Sequence, residues 1–472
     1  MNDDTMFDPR VAIADTAGAA YPQSRSDGRV ASAVSAIARE LGWSGDRGPF
    51  DAVIPPGARV LVKPNLVLHQ NEGPWGLEPL VTHPSVIGTV VEAALEAGAA
   101  QVLVGDAPIQ SCDMDTLLER SGLGAWAASA ARTDPRFRGV RDFRRTTCVL
   151  RGGVRVAAEN LQPEERFVLF DLGRESLLEP VTDDRGSFRV TWYDPRLMAR
   201  THHPGRHQYL VAREVLEADV VINLPKLKTH QKAGVTCALK NLVGINGNKE
   251  YLPHHRVGGA EDGGDCYPRR SRLKRALEYF ADRRNQTNSQ AVAAFWWGMT
   301  ALVSRVVRAS GDRFGVQGSW SGNDTIWRTC LDLNRILHYG RVDGSMADTP
   351  QRRVVHLVDA IVAGHGDGPL APQDLPLGLL FGGSNAAALD LVAAHLLAYD
   401  VSRLPLVREA FAAFRWPLTR FGPSDVRVLG DGWQHTPLPA LGARAVAAGI
   451  TYPIGWRDAA ADASRAERQT AA

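Results

Sequence analysis

Of the seven lysines in this 472-residue chain, five lie between positions 226 and 249, while arginine occurs 47 times. An ammonium is a compact charge that can lose its proton and act as a base or nucleophile, whereas a guanidinium stays charged and planar. Lys226, Lys228, Lys232, Lys240 and Lys249 survive together in a chain that otherwise prefers arginine. They point to amine chemistry or to a clamp on a carboxylate or phosphate; a solvated basic face is the alternative. In Pro225-Lys226-Leu227-Lys228-Thr229-His230 two amines and an imidazole alternate, so extended backbone would turn all three to one side. Like charges so close depress one another's proton affinity and make a neutral base available. The expected roles are a clamp for Lys226 and Lys228, an acid or base for His230 and an essential amine for Lys240. Asn241 lies beside them.

These residues need elements to position them. Val60-Leu61-Val62 is a short β-branched run closed by Lys63-Pro64-Asn65, and His83-Pro84 opens a helix over 85–97 that Gly98 stops. Gln101 to Val104 is the next strand, ending at Gly105-Asp106. Strand, helix, strand is a βαβ unit of a parallel sheet. Asp219 to Leu224 reads as a central parallel strand, and Val354 to Val362, carrying Asp359, as another. Ligands in such sheets sit beyond the carboxyl ends of strands. That places Lys63, Asn65 and Asp106 with the lysine run, Lys63 and Asn65 completing the substrate pocket and Asp106 orienting one of the amines. Asp359 and the Gly364-His365-Gly366-Asp367-Gly368-Pro369 loop would offer a carboxylate and, at Gly366 and Gly368, backbone N–H groups to an anion. His254 and His255, near Asp262 and Asp265, are candidate metal ligands.

The expected fold class is α/β: a mostly parallel sheet with flanking helices, a β-rich subdomain and a helical insertion. Residues 1–9 would be a disordered N-terminus and 10–246 an α/β domain with a β-rich excursion of hairpins at 140–200. Residues 247–350 would form a helical, Gly-rich insertion capping the site, 351–456 the α/β continuation and 457–472 a flexible tail. In the insertion, Arg328 and Asp332 have the spacing of an exposed i, i+4 ion pair.

A net charge of +2 and the lack of an aromatic–basic interleave argue against nucleic acid as a partner. A small molecule is the expected ligand, with oligomeric state open. The polar start of the chain and five scattered cysteines suggest a cytoplasmic protein. The most lipid-like stretch, 291–307, carries Arg305 and is too short to span a bilayer. It reads as a buried helix, with a peripheral membrane contact through Trp296 and Trp297 as the second reading.

On these motifs the chain resembles the family called domain of unknown function 362. The resemblance rests on Val62-Lys63-Pro64-Asn65, His83-Pro84, Gly105-Asp106, Asp219 to Leu224 and the run to His230, then on Lys240-Asn241-Leu242-Val243-Gly244, Asp359 with its glycine loop, and Asn385 to Asp390, over roughly 55–400. Some members carry ferredoxin-like segments; this chain lacks their cysteines, so no iron–sulfur cluster is expected. A fainter similarity reaches the nickel-dependent lactate racemases. His230 and Lys240 keep the separation that family uses to tether its nickel-pincer cofactor, and His254 or His255 stands near the place of its metal-binding histidine. Where its second catalytic histidine is expected, Asp106 stands. The resemblance implies a lactate-racemase-like fold and isomerase or epimerase-type acid–base chemistry on a hydroxy-acid or sugar-like anion. A non-catalytic anion- or metal-binding module is the alternative.

Overall fold

The computed structural model describes residues 4–22, 27–151, 154–160, 162–310, 312 and 315–460. Its centre is a ten-stranded sheet. In chain order the strands are β1 (Arg10–Asp15), β2 (Arg59–Pro64), β3 (Gln101–Asp106), β4 (Phe137–Asp142), β5 (Val220–Leu224), β6 (Lys226–His230), β7 (Gly234–Thr236), β8 (Arg353–Asp367), β9 (Ala371–Gly383) and β10 (Arg427–Leu429). The main path runs β10-β1-β9-β8-β5-β2-β3-β4, with β6 and β7 branching from β8. Six of the nine pairings are parallel; the β8–β9 hairpin, β1–β9 and β6–β7 are antiparallel.

Alternation along the strands builds the layers. Val60, Val62, Val102, Val104 and Ile222 face a core shared with α1 (Arg29–Glu40) and α2 (Pro84–Glu96). Leu61, Leu103 and Val221 face the opposite way, onto the segment 167–218. Because each strand is buried on both faces, it reads as a continuous apolar run rather than an alternating one. The α2 helix begins where its sequence signals it. Pro84 takes the first turn, the His83 side chain accepts from the Ser85 N–H, and Gly98 at φ +92° follows the end.

Several expectations need correction. Within the segment expected to be disordered, Asp4–Phe7 forms a 3-10 turn, Met6 is buried, and its carbonyl accepts from Asn385 Nδ2 at 2.7 Å. Two apolar residues in a polar segment, Met6 and Phe7, pack on the core and dock it. At the other end the turn Ile454–Ala459 packs Trp456 into the core, and residues 461–472 lie outside the described residues. Among the described strands in 140–200, only Thr146–Arg151 and Val154–Asn160 pair locally. Phe167–Asp171 pairs instead with Arg206–Ala212, and Phe188–Arg189 with His255–Arg256. The insertion is not wholly a cap either. The hairpin of α3 (Arg272–Asn285) and α4 (Gln290–Ala309) lies outside, but α5 (Ile326–Tyr339) is buried along its length. Asp332, expected at the surface, is enclosed by Ser176, Tyr209 and Arg335, while Arg328 pairs with Asp324.

Candidate functional site

Beyond the carboxyl ends of β2, β3 and β6 lies a cavity of about 530 Å³ walled by Asn65, Lys228, His230, Lys232, Lys240, Asn241 and His254, among others. Other hollows of about 610 and 1080 Å³ have no lysine in their walls.

Lys63 and Asp106 form the floor. The Lys63 ammonium donates to Asp106 Oδ1 at 2.6 Å, to the Pro64 carbonyl at 2.9 Å and to Asn241 Oδ1 at 3.3 Å. That exhausts its three protons. Asp106 also accepts from the backbone N–H groups of Leu66 and Ala107. Burial disfavours both charges, lowering the proton affinity of Lys63 and raising that of Asp106, and their pairing opposes both shifts. Asp106, expected to orient one of the amines, holds that of Lys63, and the pair is an anchor in place of the substrate contact expected of Lys63. Gly244 closes over it: a Cβ there would lie 2.0 Å from Asp106 Oδ1 and 2.7 Å from Lys63 Nζ. Gly244→Ala is expected to destabilise the protein by roughly 1–3 kcal/mol, read as a lower urea midpoint at unchanged slope. An unmoved midpoint would show that the pair is loosely held.

Lys226 and Lys228 part company. The register of β6 on β8 shifts between them, from Lys226 opposite Asp359 to Lys228 opposite Gly364. Lys226 is fully buried against Asp359 at 2.7 Å, with the Tyr21 hydroxyl on both. Asp359 accepts further from the His83 N–H, and the His83 ring stacks on Tyr21. Neither Lys226 nor Asp359 reaches the cavity, so their expected substrate-binding roles are replaced by a structural one. Lys228 turns to the cavity and donates to Asn65 Oδ1 at 2.8 Å and to the Leu80 carbonyl. Asn65 in turn donates to Asn241, which donates to Asn223, whose amide meets His356. This relay of amides holds the floor in register.

The glycine loop is not an anion nest. The Gly366 N–H donates to the Thr451 carbonyl and the Gly368 N–H to the Gly366 carbonyl, so both donors are spent. These glycines serve close packing: a Cβ on Gly368 would lie 2.0 Å from the Thr229 carbonyl oxygen, and Gly366 sits at φ +74°.

Four amines remain around the cavity. Lys240 stands on the short helix Ala238–Asn241, whose Leu239 N–H is held by Asp390 of α6 (Ala386–Leu396). Lys232 donates to Thr191 Oγ1 at 3.1 Å, and Lys249 to the Thr191 carbonyl at 3.3 Å. Among the described residues no carboxylate forms an ion pair with Lys228, Lys232 or Lys240. Burial, then like charges, pushes Lys228 well below the ordinary lysine range. Burial lowers Lys240 as well, and brings Lys232 down to about 7. Lys232 and Lys249 belong to the lysine cluster of the sequence without an individual role there, and Thr191 has no place in it. The rarity of lysine was the signal for the first two; nothing in the sequence marked Thr191.

The two cavity histidines have opposite hydrogen-bonding roles. His230 Nδ1 accepts from the N–H groups of Lys232 and Ala233 at 3.0 and 3.1 Å. Its neutral ring must then carry its proton on Nε2, so it is a donor and not a base. His254 Nδ1 meets the Leu252 carbonyl at 2.6 Å, which fixes the proton there and leaves a lone pair on Nε2. Burial and the neighbouring amines keep both rings neutral at physiological pH. His255 faces a different hollow, under α3 and α4. The expected metal pair therefore does not converge, and among the described residues no three of His, Cys, Asp or Glu come together as a metal site. The two-histidine arrangement of the racemases does not fit either, since Asp106 is committed to Lys63 and His230 offers only a proton.

The fold and site define an α/β protein with an amine-lined cavity at the ends of parallel strands. The chain belongs to the family described as domain of unknown function, DUF362, which matches residues 60–148 and 179–395. It is 22% identical over 383 residues to a thylakoid-associated protein of Synechocystis sp., covering 81% of this chain and 74% of that one. Among solved structures it is similar to the lactate racemase apoprotein of Thermoanaerobacterium thermosaccharolyticum, at 10% identity and a TM-score of 0.34, over 84% of this chain and 58% of that one. A Thermotoga maritima protein gives 11% identity and a TM-score of 0.31, over 75% and 55%. The chain thus spans a little over half the length of these solved neighbours.

Proposed function

We propose that the cavity is the active site of an enzyme that binds a small polyanion, a hydroxy acid with two negative charges, and moves a proton on it. The observation that carries this reading is the set of cavity-lining amines that lack a carboxylate ion pair among the described residues: fully buried Lys228 and half-buried Lys232 and Lys240. Burying unpaired charge is costly, so a ligand that supplies the missing negative charge relieves it. Lys228 and Lys240 would hold carboxylates, and His230 would donate from Nε2. His254 Nε2, neutral at physiological pH, is the base in place. It would take the proton from the carbon beside a carboxylate. The electron pair would move into that carboxylate, where the ammoniums and His230 stabilise it. A proton returned to the other face, from Lys232 poised at about 7, would invert the centre.

The test is incubation of the full chain with malate and with tartrate in D2O, following deuterium at C2 by NMR. Exchange that His254→Gln abolishes, without loss of malate binding, supports the enzyme. Malate binding with no exchange on either compound would leave an anion-binding module without catalysis and would overturn the acid–base reading.

A further inference from the structure

The helical hairpin outside the core carries a second, independent feature. Along α4, Val292, Phe295, Met299, Leu302 and Val306 recur at alternating steps of three and four, which places them on one face. Four of them are open to solvent: Val292 at 44%, Phe295 at 58%, Leu302 at 55% and Val306 at 49%. The two tryptophans that dominate this segment in the sequence point elsewhere. Trp296 stacks on Phe280 of α3 with centroids 5.6 Å apart, and Trp297 packs beside Trp192 at 6.0 Å. Trp296 thereby braces the hairpin from inside, Trp297 stays 39% exposed beside Trp192, and the open stripe is aliphatic with one phenyl ring. A contiguous exposed apolar face of this kind marks an interaction surface.

Charge selects the occupant. Helices α3 and α4 together hold seven basic and two acidic residues, a net +5 on a chain whose total is +2. Both acids are engaged in the interior: Asp282 pairs with Arg189 at 2.9 Å, and Glu278 accepts from the Gly258 N–H and the Tyr267 hydroxyl. The exposed charges on the two helices are all arginines, at 272, 275, 283, 305 and 308. Arg305, three residues after Leu302, flanks the stripe, and Arg283 lies over the ring of the exposed Tyr279. A second copy of this surface would bring like charges together. An anionic lipid surface meets both features, apolar side chains entering the acyl boundary and arginines meeting phosphate. No helix among the described residues is long and apolar enough to cross a membrane, so the contact would lie in the plane of the interface.

We propose that the protein docks on anionic membranes through the α3–α4 hairpin, with Phe295 and Leu302 as inserted anchors and the arginines as headgroup contacts. Flotation of the full chain with vesicles of phosphatidylcholine containing phosphatidylglycerol tests this, with pure phosphatidylcholine vesicles as the comparison. The expected result is binding to the anionic vesicles that weakens at least tenfold in the Phe295→Asp, Leu302→Asp double variant and with rising salt. The thermal midpoint of that variant should match the parent, because both side chains are already exposed. No flotation at low salt, equal binding to neutral vesicles, or a double variant that floats like the parent would overturn the proposal. So would a dimer in light scattering that the double variant disperses, since the stripe would then be a self-association surface.

Discussion

Asp359→Ala is expected to lower the stability of the protein by about 3–5 kcal/mol, the range for removing one partner of a buried ion pair. Both Asp359 and Lys226 are fully buried, and Asp359 also receives the Tyr21 hydroxyl at 2.6 Å and the His83 N–H at 3.0 Å. Truncation would strand the Lys226 ammonium and leave these donors unmet. Chemical denaturation at neutral pH reads the loss. The control is the double variant Lys226→Met, Asp359→Leu, which removes both charges together and should recover most of the deficit. A single variant within 1 kcal/mol of the parent would mean that Lys226 is neutral in the fold. Tyr21 would then be expected to matter more than the carboxylate.

The second large effect is on binding. Lys240→Met should weaken malate by about 2–4 kcal/mol, roughly 30- to 1,000-fold, because the ammonium that meets the buried carboxylate is gone. The apo protein should melt at the same temperature or higher, since the lost amine is half-buried and has no carboxylate ion pair among the described residues. Loss of affinity with retained stability separates a ligand-holding amine from a structural one; a change below threefold would remove Lys240 from the site. The pH dependence has a definite sign. Lys232 titrates at about 7, and malate keeps both carboxylates ionised from about pH 6 upward. Affinity should therefore rise as pH falls through 7 and Lys232 gains its charge. Stability should move the other way. Between about 7 and the ordinary lysine range the unfolded chain binds the proton that the folded chain has released, so folding is favoured as pH rises across that window. Calorimetric titration at pH 6.5 and 8.5, with parallel thermal melts, checks both directions.

The motifs around the site divide cleanly by what each residue touches. In Lys240-Asn241-Leu242-Val243-Gly244 the lysine enters the cavity and the asparagine joins the amide relay. Leu242 is buried in the core, and Gly244 makes room for the Lys63–Asp106 pair. Only the first of these is a candidate for direct chemistry. The same holds for the Gly364 to Pro369 run, whose glycines let β6 lie against β8 instead of presenting N–H groups.

Local pattern was enough to place β2, α2, β3 and β5, because apolar periodicity, a proline at a first turn and a glycine stop act within a few residues. It was also enough to draw attention to the rare amines, a property of composition alone. Side-chain direction was another matter. Alternation put Lys226 with Lys228, but a register shift against β8 sent one into an ion pair and the other into the cavity. Which histidine donates and which accepts depended on N–H and carbonyl groups in neighbouring turns. Asp106 and Lys63, strand-end residues 43 positions apart, neutralise each other only because β2 and β3 lie side by side. Secondary structure is written in near neighbours. Charge partnership, tautomer and solvent exposure are set by residues far away in the chain, and only the assembled fold brings those together.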